Sequence, residues 1–514
     1  MFKRALTHQW SFFWAGIVFG IAQIIYIIGD WAAAAKAGKP WESTPITVTT
    51  DLGRMFRAAE MWVTDMLGIA DFQIYGASVN EVASGGAFVP GIGWPIVGMM
   101  LGGMLVAWVE RESRTWVRYP SHVLWISFFG GILFSYGTRL AGGCTLNHLL
   151  GGIPLMNIHS MVTVIFMAIG GAVAFYLLGR VQMAPYFKHQ ETRAYVVGND
   201  PGESATYDPK YRPRRRPMFW AALLFLVVFF GVSVYGGLFD PESLQHLKKG
   251  QLVAFVKSVD DKGWFYVIAT LLSGVVAGFA MAKSGFGTEC AVVSAEAGGM
   301  MKKHDSFYAA LGVPRITRTL MRGYIPVIGI MASWVVMLAF VIAAWVFAGI
   351  KPGFESGLKE QLTEGNIVGG VLLGAGAVML IGCEVRSYMR IGLGYLNTWV
   401  GFMGFAVGYL PWTLYLKQHE AYLQAGQLAE TYKWYQLVSE NTGVQQLVLF
   451  LWWVVLMVGL VLVIRAGTRQ TGVSRASLIQ KSTEDLQVEI DQKGRAGGGR
   501  IGEVGVPMLV PHTG

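Results

Sequence analysis

Charge is scarce in this sequence. Lys, Arg, Asp and Glu make up 14% of its 514 residues, hydrophobic residues make up 53%, and the mean hydropathy is +0.45. A soluble domain carries about 25% charge, so this composition excludes that class and points to a polytopic membrane protein. Cysteine is scarcer still: Cys144, Cys290 and Cys383 are the three present. None lies near another in sequence, which excludes a CxxC redox pair and a cysteine zinc site. Of the nine histidines, His8, His122, His189, His246, His304, His419 and His512 fall at the ends of apolar runs, in loops or in tails. Only His148 and His159 remain for a haem, too few for a membrane redox enzyme. The sequence therefore predicts no metal, no cofactor and no catalytic residue.

The net charge of +9 has a topological explanation. Lys and Arg concentrate at 3–4, 111–118, 180–217, 302–322 and 465–475, in segments flanking apolar runs, as membrane orientation requires; nucleic acid is not an expected partner. The apolar run 11–28 after Lys3 and Arg4 resembles a signal peptide. It lacks a small-x-small cleavage site and reads as a retained helix.

A membrane span needs roughly 20 mostly apolar residues. By that measure ten spans are expected, at 11–30, 88–109, 121–138, 159–180, 218–238, 263–283, 326–349, 366–382, 396–413 and 446–465. Three glycine-broken apolar pieces, 139–152, 284–300 and 383–395, are too short to cross, and each carries one cysteine. Irregular backbone at membrane depth is tolerated where it is buried in protein or lines a cavity, so these pieces are expected re-entrant pore linings.

One motif occurs twice. Residues 130–144 read GGILFSYGTRLAGGC, and 239 positions later 369–383 read GGVLLGAGAVMLIGC. Gly130, Gly131, Leu133, Gly137, Gly143 and Cys144 recur as Gly369, Gly370, Leu372, Gly376, Gly382 and Cys383. If the basic segments face the cytoplasm, the ten crossings alternate without conflict, both termini are cytoplasmic, and the two copies enter the membrane from opposite faces. The expected fold is all-α: about ten transmembrane helices with short cysteine-bearing re-entrant helices, in two inverted pseudo-repeats whose interface holds the substrate.

Four segments follow. Residues 1–182 form a first membrane half, 183–217 a polar basic cytoplasmic linker, 218–465 a second half, and 466–514 a flexible tail. The long loop 31–87 carries little weight in the topology.

The cysteines are the first candidates for chemistry. A neutral thiol is a weak S–H donor that can meet a polarisable anion without trapping it. A boundary arginine such as Arg139 or Arg386 is costly in a membrane and is a functional candidate by default. Asn147 and His148 share the segment of Cys144, where His148 also reads as a hydrogen-bonded packing residue. Glu289 and Glu384 abut cysteines, and each needs a cationic partner or a coupled proton. Lys283, Arg318 and Arg322 read as topology signals.

TRLAGGCTLNHLLGG (138–152) and IGCEVR (381–386), with SGFGTEC (284–290) as a more variable third element, resemble the signature segments of the YeeE/YedE sulfur-transport family. The likeness covers roughly 88–180 and 263–413. It implies a multi-pass transporter in the bacterial inner membrane that imports thiosulfate or a related anion, passed between Cys144, Cys290 and Cys383. Many relatives have Pro after the late cysteine, where this chain has Glu384, and some handle selenium or other sulfur species. A membrane redox protein, or an anchor for a cytoplasmic sulfur-carrier protein docked on the linker, is the alternative of a different class.

Overall fold

The computed structural model describes residues 8–49, 51–53, 55–56, 73–74, 77–78, 92–109, 121–180, 220–221, 223–224, 227, 251–285, 287, 323–353, 361–380, 382–414, 416–429 and 433–496. The main helices are α1 (Phe12–Lys36), α2 (Trp94–Val109), α3 (Ser121–Leu140), α4 (Ile158–Arg180), α5 (Gln251–Ser284), α6 (Ile325–Ala348), α7 (Glu364–Leu380), α8 (Glu384–Gly392), α9 (Leu396–Leu414), α10 (Leu416–Ala425) and α11 (Thr442–Thr471). Two short helices follow, α12 (Arg475–Gln480) and α13 (Thr483–Ala496). Strand structure among the described residues is confined to pairs two or three residues long, one of which ties Glu42–Ser43 after α1 to Lys351–Pro352 after α6. The protein is an all-α polytopic membrane protein. Seven described segments are long and apolar enough to cross a bilayer, one of them running from Glu364 through Gly392, and Trp94–Val109 is a shorter apolar helix. The span expected at 218–238 lies mainly outside the described residues.

Glycine sets the architecture. Helices gain little hydrophobic energy by associating in lipid, so close van der Waals approach has to hold them together. A methyl group on Gly137 would lie 2.8 Å from the carbonyl oxygen of Gly369, and one on Gly376 would lie 2.7 Å from that of Gly130. The repeated glycines of α3 and α7 thus meet each other. Gly137 lies against Gly369 and Gly130 against Gly376, so numbering rises along one helix as it falls along the other. The helices cross antiparallel, and the two contacts exchange under the 239-residue shift.

The surrounding helices obey the same symmetry. Gly131 of α3 packs on Gly401 and Gly404 of α9, while Gly370 of α7 packs on Thr163 and Met167 of α4. Gly16 and Gly20 of α1 meet Gly329 and Ser333 of α6 in ascending order, as Gly98 and Gly102 of α2 meet Gly274 and Gly278 of α5. Each of these pairs is parallel. The relative directions of these helices agree with the alternation of charge in the sequence.

The break after each central helix is local chemistry. In the first copy Gly142 adopts φ +76°, and the N–H of Gly143 donates to Thr138 O at 3.0 Å, a left-handed helix end that glycine accepts without penalty. A seven-residue π-helical turn, Leu146–Gly152, follows. In the second copy Cys383 has extended backbone and caps α8, its Sγ accepting from Arg386 N at 3.5 Å. Inside α5, Gly263 (φ 85°) kinks the chain where the expected span begins.

Two segments differ from expectation. The tail expected from 466 instead extends α11 to Thr471 and then folds back through α12 and α13. Leu478 and Leu486 are buried there, and Ser11 Oγ, which caps α1, donates to Ile479 O at 2.6 Å. The loop 31–87 also matters more than charge counting suggests. Its residues Ile46, Thr47, Val48, Thr49 and Leu52 are buried in the helical core. The linker 183–217, the segment 288–322 and the chain beyond 496 lie outside the described residues.

Candidate functional site

The break after α3 places Cys144 in the core with no solvent exposure, and Cys383 is buried in the same cluster. Neither thiol is in a disulfide. Cys144 Sγ donates to Asn147 Oδ1, three residues on, at 3.1 Å. The same oxygen accepts from Thr49 Oγ1 at 3.3 Å, so the inserted loop fixes the asparagine that holds the thiol.

Arg139 comes from the last turn of α3 and is buried. Its guanidinium donates to the backbone carbonyl of Thr49 and lies over the Tyr409 ring of α9, 4.3 Å from the centroid. Snorkelling to the headgroups is excluded by this burial; the cation is held inside the bundle by a carbonyl and a π-face.

The second repeat contributes Glu384, also buried, the first residue of α8. Its Oε1 accepts from Tyr388 OH one turn along, and its carboxyl is within reach of the Cys144 thiol and the Thr49 hydroxyl. Thr49, Thr138, Arg139, Glu384, Phe405 and Tyr409 line one small cavity, with room for about one water molecule. A cation from one repeat, a carboxyl from the other and a threonine from the connecting loop therefore line one cavity, and the Cys144 thiol lies within reach of that carboxyl.

The other expected residues fall in different places. His148 Nδ1 hydrogen-bonds Ser160 Oγ at 3.1 Å, Ser160 Oγ lies 3.3 Å from His159 Nε2, and the two rings are edge to face at 5.5 Å. His148 is thus held in a chain of buried polar contacts next to the Cys144 turn. Arg386 is half-buried, and what it gives Cys383 is its backbone N–H. Lys283, read as a topology signal, is 1% exposed and so is not a headgroup-facing cation. Cys290, Glu289, Arg318 and Arg322 lie outside the described residues.

Sequence reasoning missed Thr49, Tyr388 and Tyr409. Tyr388 was findable, because it stands four residues after Glu384 and helical spacing puts both on one face. Thr49 and Tyr409 had no local signal. A wider cavity opens nearby between α3, α7 and α10, lined by Tyr136, Leu140, Val368, Leu372, His419 and Tyr422, with Tyr136 OH bonded to His419 Nε2 at 3.0 Å. Leu140, Tyr409, Trp412 and Leu423 form an apolar cluster, with Tyr136 and Leu372 of that cavity packed against it.

Two comparisons with known proteins bear on the chain. A 90-residue stretch is 33% identical to the thiosulfate transporter TsuA of Spirochaeta thermophila, covering 17% of this chain and 27% of that protein. The chain therefore spans about a quarter of the relative it matches. The model of the sulphur-transport family matches residues 1–173, a stretch that includes α1 to α3, the Cys144 turn and most of α4. That match is a similarity of the first third of the chain to the sulphur-transport family, and the matched stretch contains Thr49, Arg139 and Cys144.

Proposed function

We propose that the protein carries thiosulfate or a related sulfur-containing anion across the bacterial inner membrane into the cell, passing it between cysteine thiols. The observation that carries this reading is the buried Cys144 thiol, held by Asn147, with Thr49 bonding that asparagine through its hydroxyl and the buried guanidinium of Arg139 through its carbonyl. A dianion leaving water loses strong hydration. A fixed cation offsets part of that loss, and a neutral thiol adds a directional but weak S–H contact that releases its ligand. Cys383 stands at the corresponding turn of the inverted copy and is the next thiol in the relay; Cys290 is the third.

The family match and the thiosulfate-transporter relative support the substrate class. The cavity between Arg139 and Glu384, with room for about one water, is too small for thiosulfate. Passage requires the repeats to separate on one face and then the other about the α3–α7 crossing, as inverted-repeat transporters do. The linker 183–217 is the surface on which a cytoplasmic sulfur-carrier protein would dock, with both termini on the same side.

The test is uptake of labelled thiosulfate into proteoliposomes, with sulfate, sulfite and selenite as competitors. Saturable uptake, displaced by thiosulfate more strongly than by sulfate, is expected. No uptake above protein-free liposomes sinks the reading, and stronger displacement by selenite reassigns the substrate. Tags in 183–217 and 350–365 should label from opposite sides.

A further inference from the structure

The proposed path gives no role to a buried carboxyl that lines its cavity. Glu384 is 1% exposed, lines the Arg139 cavity and faces the Cys144 thiol. Tyr388 bonds Oε1, whereas Oε2 makes no hydrogen bond of standard geometry among the described residues. As a carboxylate this group repels any anion that approaches Arg139, and its burial beside the path is costly unless it has a task.

Resting on the transport reading, we propose that Glu384 couples movement of the anion to movement of a proton. Ionised, Glu384 is the built-in counter-anion of the Arg139 cavity. Protonated, it is neutral, yields that place to the substrate anion, and its O–H becomes a donor toward it. One proton binds Glu384 from the side on which the anion enters and leaves to the opposite side after the anion departs. No bond other than O–H is made or broken, and anion and proton move together.

The surrounding charges suit this exchange. Arg139 from α3 supplies the positive field, and the Cys144 thiol stands on the adjoining turn. Tyr388 on α8 itself and Tyr409 on α9 bring phenols, Tyr388 bonded directly to the carboxyl. Elsewhere on or beside α8 stand Cys383, Arg386 and Arg390, whose guanidinium lies 5.3 Å from the Tyr395 ring centroid. The α5 helix, packed on α8, carries buried Lys283 at its end, and buried Asp51 sits on the loop that carries Thr49; α2 presents no titratable side chain. Glu384 is thus the carboxyl in direct contact with the Arg139 cavity among the described residues.

The experiment uses the full-length protein in proteoliposomes with the membrane potential clamped at zero, labelled thiosulfate, and a trapped pH-sensitive dye. With a gradient of one pH unit, acid outside, the wild type should accumulate thiosulfate about tenfold over the equal-pH control if one proton accompanies each anion, and the lumen should acidify as thiosulfate enters. Glu384→Gln, a permanent mimic of the protonated state, should exchange internal for external thiosulfate at a pH-independent rate, whatever its magnitude, with neither accumulation nor acidification. A wild type that exchanges thiosulfate but ignores the gradient overturns the coupling and leaves the transport reading standing. Gradient-driven accumulation in Glu384→Gln overturns it as well. Wild type without exchange fails the transport reading itself. The wild-type dye signal decides the matter even if the variant does not fold.

Discussion

The turn after α3 and the turn after α7 are the same device on two sides of a pseudo-two-fold axis, yet they carry different chemistry. The scaffold positions match: Gly130 with Gly369, Gly137 with Gly376, Cys144 with Cys383. The functional positions do not. Arg139 corresponds to Val378, Thr145 to Glu384, Asn147 to Arg386 and His148 to Ser387. The first copy holds its thiol through Asn147 and the inserted Thr49, while the second uses its thiol to cap α8 and sets a carboxyl beside it. Symmetry is kept where backbones touch, because a side chain there has no room. It is lost where the copies face the cavity, and under the proposed transport the asymmetry would give one anion a single cation and a single neutralisable partner.

The sharpest way to break this comparison is at the shared scaffold. Gly376→Leu places a side chain where even a methyl would lie 2.6 Å from Phe134 N, so the variant should fail to yield folded protein by size-exclusion chromatography after membrane extraction. Normal yield would mean that the α3–α7 crossing is not the structural centre. Next in size is the chemistry. Cys144→Ala and, separately, Cys383→Ala should reach the membrane at wild-type levels yet lose thiosulfate-dependent growth in a strain lacking other importers. Unimpaired growth in both ends the relay, and loss in Cys144→Ala alone would make the copies unequal in function as well as in surroundings.

Smaller effects sharpen the contrast. Thr49→Val removes the hydroxyl that fixes Asn147 while keeping its shape, a loss of about 1 kcal/mol and so about fivefold in uptake rate. Removing the hydroxyl at the position that corresponds to His148, by Ser387→Ala, should cost less. Truncation after residue 472 removes buried Leu478 and Leu486, side chains that contribute about 2 kcal/mol each when fully buried, and should lower thermal stability. Truncation after 496 should leave stability and uptake unchanged; a large loss there would assign a role to the last segment of the chain.

Much of the fold was legible. Apolar runs gave the central helices to within a few residues, and the glycine repeat with the charge pattern gave two copies of opposite direction, whose crossing only the structure revealed. The Cys144 turn was legible because glycine pairs end helices by a local rule. Thr49 was not, because nothing in ITVTTDLG (46–53) distinguishes a loop that enters the bundle from one that lies over it. Lys283 and the helices after 471 were misjudged for a related reason. Charge and polarity count as exposure in sequence, whereas a docked partner can bury them.

By itself, then, the sequence determined a polytopic helical protein with two inverted copies of a glycine helix ending in cysteine. Bilayer thickness fixes span length, helix packing in lipid selects glycine, and both leave local patterns. Only the tertiary structure decided that Arg139, Cys144 and Glu384 meet at one buried point, with Thr49 tying two of them together. Those residues stand up to 335 positions apart, and their encounter depends on how two repeats cross.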